Sequence, residues 1–417
     1  MLDVVAVSGC ARKTLLVAWE LGAGLRHAAR VAPLAAHCLE AGWRVHLALP
    51  PDAPLAWLRT RLPASWPGRL TASAVPRLPA AGPIAPTHTL ADVLALLGFA
   101  DPGAVDAAAR RWSRLLAALR PDLVIADFAP MAVLTTRGRV PLLVVGNGYI
   151  VPPPGDRLPP IAPWMPEAGP ESRRNEERVL AAVCEAARAI GVTAPGNLAA
   201  LFHGDATHVG TLPQLDPYRA HRGQGDCRFP YTVELPAEPC PWPSRPREAF
   251  VYLPRRHPGL AAVLDALARH DLAATVYAGP DGVDPPGPSV RLLRDMPSLA
   301  GLLPRVRLAV HHADLGTAHA ALIAGTPQLV LPGERLEHRV TAHALWELGV
   351  AAAPAIATAG GVGEAVAAVL AEGGPARHTA SVAAHLRPLA TPTAMLAAVR
   401  ADLHRLLSAA PPCRLPT

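Results

Sequence analysis

The side chains best suited to chemistry on an anion fall within residues 306–332, VRLAVHHADLGTAHAALIAGTPQLVLP. A short apolar run, Leu308 to Val310, ends on His311 and His312, and Gly316-Thr317 follows a small loop. An imidazole can donate a hydrogen bond or carry a charge, and the Thr317 hydroxyl adds a donor. A helix opening near Gly316 presents unbonded N–H groups and the positive end of a dipole, which suits a phosphate. Stepping from strand to loop to helix, the pattern ends in a second apolar run, Gln328 to Leu331, and Pro332. This is one right-handed βαβ unit, and its first loop lies at the carboxyl edge of the sheet, where ligands bind. A second cationic loop, Arg255-Arg256-His257, follows a predicted strand, Ala249 to Leu253. Its Arg255 or Arg256 could pair with a diphosphate or stand solvated.

The segment resembles the donor-binding signature of the GT-B glycosyltransferases of the plant, antibiotic and glucuronosyl type. Their pattern is His-Gly-Gly-x-Gly-Thr, then Gly-x-Pro, then a strand ending in Pro. His312, Leu315, Gly316, Thr317, Gly325, Pro327 and Pro332 fall in register with it. The two glycines do not, since Ala313 and Asp314 replace them, and the family's acidic residue beyond Thr is Ala320. A carboxylate at Asp314 would repel a diphosphate unless it turns away, to cap the helix or to pair with His311.

The same resemblance extends to residues 20–45, which look like the start of the acceptor domain. Arg26-His27, Pro33-Leu34-Ala35 and Gly42-Trp43 stand where relatives carry Gly-His, Pro with Leu-Ala, and Gly-His. His27 matches the base histidine of many relatives; the alternative is an exposed histidine at a helix start. Asp127 closes the predicted strand Asp122–Asp127, and some relatives pair their base with an aspartate at that separation. A carboxylate on one imidazole nitrogen fixes the tautomer and stabilises the imidazolium. Asp127 could instead cap the next helix. In the second half, Met296 lies where relatives hold the nucleotide base. Glu337 and His338 fall at the acid-Gln pair that binds donor-sugar hydroxyls if one extra residue is allowed, with Glu334 a competitor.

Further elements must position these groups. Thr14–Trp19 reads as a buried strand, residues 28–40 as a helix and Arg44–Leu49 as the next strand. Gly22 and Gly24 make a weak dinucleotide signal, and no acid ends the second strand, so a nicotinamide cofactor is disfavoured. Strands are predicted at 70–75, 141–146, 207–210, 272–278 and 289–293. Helices are predicted at 90–97, 104–119, 174–190, 336–348 and 393–407. Tyr149 follows the strand at 141–146, and Trp164 sits in a proline-rich loop at 150–172. Both are acceptor-binding candidates, though Trp164 could equally pack onto its domain.

The resemblance implies an α/β chain with the GT-B fold, two Rossmann-like doubly wound domains facing across a cleft. Residues 1–240 would bind the acceptor and 248–390 the nucleotide sugar. The linker is expected within 228–247, where prolines cluster, and residues 391–417 would form a helix crossing back to the first domain.

Composition narrows the partners. The net charge of +6 is spread over 417 residues with no basic run, which argues against nucleic acid. Cys10, Cys38, Cys184, Cys227, Cys240 and Cys413 show neither C-x-x-C nor zinc spacing, so reduced thiols are expected and no metal. With no membrane-length apolar run and no leader pattern, the expected location is cytoplasmic. The implied activity is transfer of a sugar from a nucleotide-diphosphate donor to a small-molecule or other acceptor, with inversion. The donor is a co-substrate, no cofactor or metal is needed, and the chain would act as monomer or homodimer. Two alternatives stand beside it. One is a degenerate GT-B protein that binds without transfer; the other is a nucleotide-sugar hydrolase or epimerase.

Overall fold

A computed structural model describes residues 13–63, 68–75, 77–80, 87–165, 167–223, 225–235, 245–279, 289–354, 358–371 and 374–409. In chain order the elements begin with β1 (Thr14–Trp19), α1 (Leu25–Glu40), β2 (Arg44–Leu49), α2 (Leu55–Arg61) and β3 (Leu70–Ala74). Next come α3 (Leu90–Leu94), α4 (Pro102–Leu119), β4 (Leu123–Asp127), α5 (Pro130–Thr136) and β5 (Leu142–Gly146). Then follow α6 (Pro170–Ala189), β6 (Ala206–Gly210) and β7 (Cys227–Arg228). The second half runs β8 (Glu248–Tyr252), α7 (Leu260–Arg269), β9 (Ala273–Tyr277), β10 (Val290–Leu292), α8 (Leu299–Leu302), β11 (Leu308–His311) and α9 (Leu315–Ala324). It ends with β12 (Gln328–Val330), α10 (Leu336–Glu347), β13 (Ala351–Ala352), α11 (Ala359–Leu370), α12 (Pro375–Leu386) and α13 (Pro392–Ala409).

Two sheets result. The first has seven strands in the order β3-β2-β1-β4-β5-β6-β7, the second six in the order β10-β9-β8-β11-β12-β13. Neighbours from β1 to β6, and all those of the second sheet, run parallel. Helices cover both faces of a parallel sheet, so its strands carry no polar face. Every residue of β1, TLLVAW, is buried, as is every residue of β4 and β5. Helix α9 is largely apolar because it is enclosed on all sides; nine of its ten residues are buried.

The described residues divide into two compact units. One lies within Met1–Pro160, Met165–Val209 and Ala397–Thr417, the other within Ile161–Trp164 and Gly210–Leu396. The chain therefore changes unit at Gly210, ahead of the proline-rich stretch expected to link the domains. Leu212, Leu215, Phe229 and Val233 are buried in the core of the second unit, which draws residues 210–235 into it. Arg245 continues this anchoring: its guanidinium donates to Val306 O (3.1 Å), Ala324 O (3.0 Å) and Thr326 Oγ1 (2.9 Å). Residues 236–244 of the expected linker lie outside the described residues. From Ala397 onward α13 groups with the first unit, where Asp402 Oδ2 lies 3.0 Å from His208 Nε2.

Several elements differ from the sequence-based expectation. The helix expected at 90–97 is α3 followed by a wider turn over Ala95–Phe99, broken by Gly98 at φ 89°. Helix α6 starts at Pro170 rather than 174, a proline in the first turn where its missing N–H has no partner to lose. Among the described residues no helix is long and apolar enough to cross a membrane. Cys38, Cys184 and Cys227 are free thiols; Cys10, Cys240 and Cys413 lie outside the described residues.

Candidate functional site

In the first unit, β1 and β4 are neighbours, with Trp19 in register with Asp127, so both end at the same carboxyl edge. Beyond them Leu21 N donates to Phe128 O at 3.0 Å, tying the two strand exits together. Helix α1 starts on this edge, and His27 lies in its first turn. Its Nδ1 stands 3.2 Å from Asp127 Oδ2. The structure thus brings the two catalytic candidates together across a hundred residues. Asp127 does not cap α5, whose N-cap position is Ala129.

A third group was missed. Arg30, one turn after His27 on the same face of α1, reaches the same carboxylate. Its Nε donates to Asp127 Oδ2 (3.2 Å) and its Nη2 to Oδ1 (3.0 Å). The same Nη2 lies 2.9 Å from His27 Nδ1. All three side chains are buried. The helical spacing of His27 and Arg30 was the only sequence signal, and nothing in it pointed to Asp127. The His27 ring stacks on Trp19 (centroids 4.9 Å apart) and faces Phe128 (6.4 Å). Its Nε2 meets Gly22: a Cβ there would lie 2.4 Å away, and Gly22 has φ +78°. Burial pulls the His27 pKa below the ordinary value, Asp127 opposes this, and Arg30 adds to it. Burial would raise the Asp127 carboxyl, but Arg30 and His27 outweigh it and hold the acid below its usual range.

Glu20, at the end of β1, was also missed. It is buried, accepts from Met131 N at 2.8 Å and from Trp112 Nε1 at 3.4 Å, and burial pushes its pKa up to about 8. Burial thus favours its neutral form. Trp112 also floors an open groove lined by Ser73, Val75, Arg111, Arg114 and Leu115. Tyr149 follows β5 and is half-buried. Trp164 belongs to the second unit and packs there: its ring meets His343 edge-on at 5.1 Å, with the Arg339 guanidinium 5.7 Å from its centroid. The ring stays partly exposed, with a cation and an imidazole of α10 at its face and edge.

In the second unit, β11 lies between β8 and β12, and the loop His312–Asp314 leaves its carboxyl end. Ala313 adopts φ +62°, the left-handed conformation that favours glycine. The backbone thus keeps a glycine-type turn where the resemblance expects Gly. Asp314 is the N-cap of α9, and its Oδ2 accepts from Thr317 N (3.0 Å) and Thr317 Oγ1 (3.2 Å). Of the arrangements the sequence allowed, Asp314 thus takes the capping one, and it competes for the amino end of α9 on which a phosphate was expected. The Thr317 N–H and hydroxyl assigned to a phosphate are held by an internal carboxylate, and Ala318 N donates within the helix to Asp314 O. Leu315 is buried in the core, and Gly316 is half-buried.

His312 donates Nδ1–H to Tyr252 O at 3.2 Å, since a carbonyl only accepts. A phosphate oxygen facing Nε2 would need a second proton on the ring, so anion binding there is coupled to protonation. The ring meets Tyr252 edge-on at 4.7 Å and His338 at 4.6 Å. His338 is buried and Glu337 half-buried in the first turn of α10. His311 is fully buried, donates Nε2–H to Gln328 Oε1 at 2.9 Å, and burial pushes its pKa down to about 4. It is a neutral core residue, not an ion-pair partner for Asp314. Arg255 is exposed, and Met296 packs against the core of the unit. His257, in the same loop as Arg255, is tied to backbone: Gly259 N donates to its Nδ1 (3.1 Å), and its Nε2–H donates to Leu331 O (3.1 Å). Among the described residues no three His, Cys, Asp or Glu side chains converge as metal ligands would.

No protein-family model and no curated sequence matches the chain. Solved structures do. The calicheamicin glycosyltransferase CalG4 matches 95% of this chain and 100% of its own, with a TM-score of 0.62 and 17% identity. The glycosyltransferase VinC, solved in complex with DTDP, gives the same coverage and TM-score at 18% identity. The glycosyltransferase SnogD from Streptomyces nogalater covers 94% and 100% with a TM-score of 0.60 and 20% identity. The chain has the α/β fold of the GT-B glycosyltransferases.

Proposed function

We propose that this GT-B chain transfers a sugar from a nucleotide-diphosphate donor to a hydroxyl of a small-molecule acceptor, of the kind met in bacterial secondary metabolism. The observation that carries the reading is the buried approach of His27 to Asp127 at the carboxyl edge of the first sheet. In this scheme the acceptor hydroxyl gives its proton to His27 Nε2 as its oxygen bonds to the anomeric carbon. The bond from that carbon to the diphosphate oxygen breaks on the opposite face, so the configuration inverts. Asp127 stabilises the imidazolium. The diphosphate leaves with its charge held by protonated His312 and the amino end of α9, without a metal. Glu337 would accept sugar hydroxyls, and Tyr149 would line the acceptor. His27→Ala should lower kcat by a factor of about 10²–10⁴ and leave nucleotide affinity unchanged. Wild-type turnover in that variant would remove His27 from the chemistry.

One observation favours a second reading, a GT-B protein that binds a ligand without transfer. Asp314 already supplies the anion that the amino end of α9 would otherwise take from a diphosphate. Thermal shift with a panel of nucleoside diphosphates separates the two. Stabilisation by any of them supports a transferase, and none at millimolar concentration supports the binding protein.

A further inference from the structure

We propose that Arg30 is a positioning residue that sets the tautomer of His27, holding the ring proton on Nε2 and so keeping the base out of its working form until the guanidinium lets go. The consequence for turnover rests on the transferase reading above; the tautomer itself does not.

A guanidinium has five N–H donors and no acceptor, and it keeps its proton at any pH a protein survives. The 2.9 Å contact from Arg30 Nη2 to His27 Nδ1 is therefore a hydrogen bond only if Nδ1 offers a lone pair. An Nδ1–H aimed at Asp127 would instead set hydrogen against hydrogen at the shorter of the two contacts, 2.9 Å against 3.2 Å. Asp127 does not need that proton. Arg30 already gives it two charge-assisted bonds, Nε to Oδ2 and Nη2 to Oδ1. The 3.2 Å approach of Nδ1 to Oδ2 is then two acceptors sharing one guanidinium rather than a His–Asp bond. A neutral ring carries one proton, and with Nδ1 bonded as an acceptor that proton sits on Nε2.

The surroundings leave the ring little room to choose otherwise. Trp19 and Phe128 fix its plane, and Gly22 closes on Nε2. Burial and the cations Arg30 and Arg26 all disfavour the doubly protonated ring, and Asp127 alone favours it. An Nε2–H cannot accept a proton from an acceptor hydroxyl. For His27 to act as a base, the ring proton must move from Nε2 to Nδ1, where Asp127 Oδ2 accepts it. Arg30 Nη2 must leave Nδ1 at the same time, and its Nε can keep its bond to Asp127 while it does. In a simple His–Asp dyad the carboxylate selects the working tautomer. Here the cation between them selects the other one.

Nuclear magnetic resonance tests this without any turnover. Two-bond proton–nitrogen correlation spectra of the full ¹⁵N-labelled chain distinguish a protonated ring nitrogen from one carrying a lone pair, and the His27 signals are identified by their loss in His27→Gln. At a pH where the ring is neutral, the expected pattern is protonated Nε2 and bare Nδ1. The reverse pattern in the wild type overturns the proposal without recourse to any variant. Arg30→Met should exchange the two patterns, because Nδ1–H then has Asp127 as its acceptor. It should also raise the His27 titration midpoint, as one opposing cation is gone and the carboxylate is unmasked, with Arg26 still opposing. Arg30→Lys, which keeps a cation but loses the fork, should retain the wild-type tautomer if a donor to Nδ1 is what matters. An unchanged tautomer in Arg30→Met assigns the lock to another group and refutes the role of Arg30. If the tautomer behaves as expected and no nucleotide sugar is turned over, the lock stands and the transferase reading falls.

Discussion

Replacing Asp314 with Asn isolates the charge that stands where a donor diphosphate would bind. The carboxylate holds Thr317 N at 3.0 Å and Thr317 Oγ1 at 3.2 Å, so a phosphate drawn to the same amino end of α9 would come within about 5 Å of it. At an effective dielectric near 20, one pair of like charges at that separation costs roughly 3 kcal/mol, or about a hundredfold in affinity. Asparagine keeps a carbonyl oxygen for the Thr317 N–H and ranks with aspartate as an N-cap. Only the interaction of the charge with the helix dipole is lost, about 0.3–1 kcal/mol of stability. Asp314→Asn should therefore fold normally, with a small drop in Tm, and bind thymidine diphosphate about a hundredfold more tightly than the wild type by isothermal titration. The gain should shrink only modestly as salt is raised, because Asp314 is half-buried and partly buried charges are screened less than exposed ones. Equal affinity for the two proteins at low salt would refute the argument, since it would mean that Asp314 moves clear of the ligand or that no diphosphate binds there.

Two further outcomes follow from the first unit. Gly22→Ala should destabilise the chain by about 2–4 kcal/mol, through left-handed strain and the clash of its methyl with His27 Nε2. In a His27→Ala background only the strain of about 1–2 kcal/mol should remain, and an equal cost in both backgrounds by urea unfolding would disprove the contact. Glu20 has a folded pKa raised to about 8 from 4.5, so its neutral form is the one the fold favours. That contribution is present in full below pH 4.5 and is lost as pH rises through 8. Relative to Glu20→Gln, the wild type should lose on the order of 3–5 kcal/mol between those limits. Parallel pH dependence of the two proteins in urea unfolding would show that Glu20 ionises as freely in the fold as outside it.

Much of the architecture was legible because parallel strands and their helices write their burial into the chain. A strand buried on both faces, such as TLLVAW, can only be an unbroken apolar run. The turn from His312 to Thr317 was legible for a related reason. Glycine-type backbone, a helix start and a strand end must follow one another within a few residues, and local order is what a sequence displays. Helix α5, between β4 and β5, was expected only as the helix after Asp127 and without bounds, because it is short and carries no polar stripe, all its residues being buried.

The chemistry at those places was not local. Asp127 was visible as an acid closing a strand, but its partners depend on which strands are neighbours and where α1 lands. Arg30 became part of the site only because β1 and β4 pair in a register that sets Asp127 beneath the first turn of that helix. From the sequence alone Arg30 was a cation on a helix; its guanidinium, and not the carboxylate, turned out to touch His27 Nδ1 at the shorter distance. Asp314 lies between the two cases. Its residue type allowed capping, pairing with His311 or repulsion of a ligand. Capping prevailed because α9 begins at Leu315 and brings the Thr317 N–H within reach, while His311 is turned into the core against Gln328. The sequence determined most of the strands and helices and which loops leave the carboxyl edge of each sheet. The tertiary structure decided which proton sits on which nitrogen and which anion fills the amino end of α9, because hydrogen bonds act over about 3 Å and residues a hundred apart meet only in the fold.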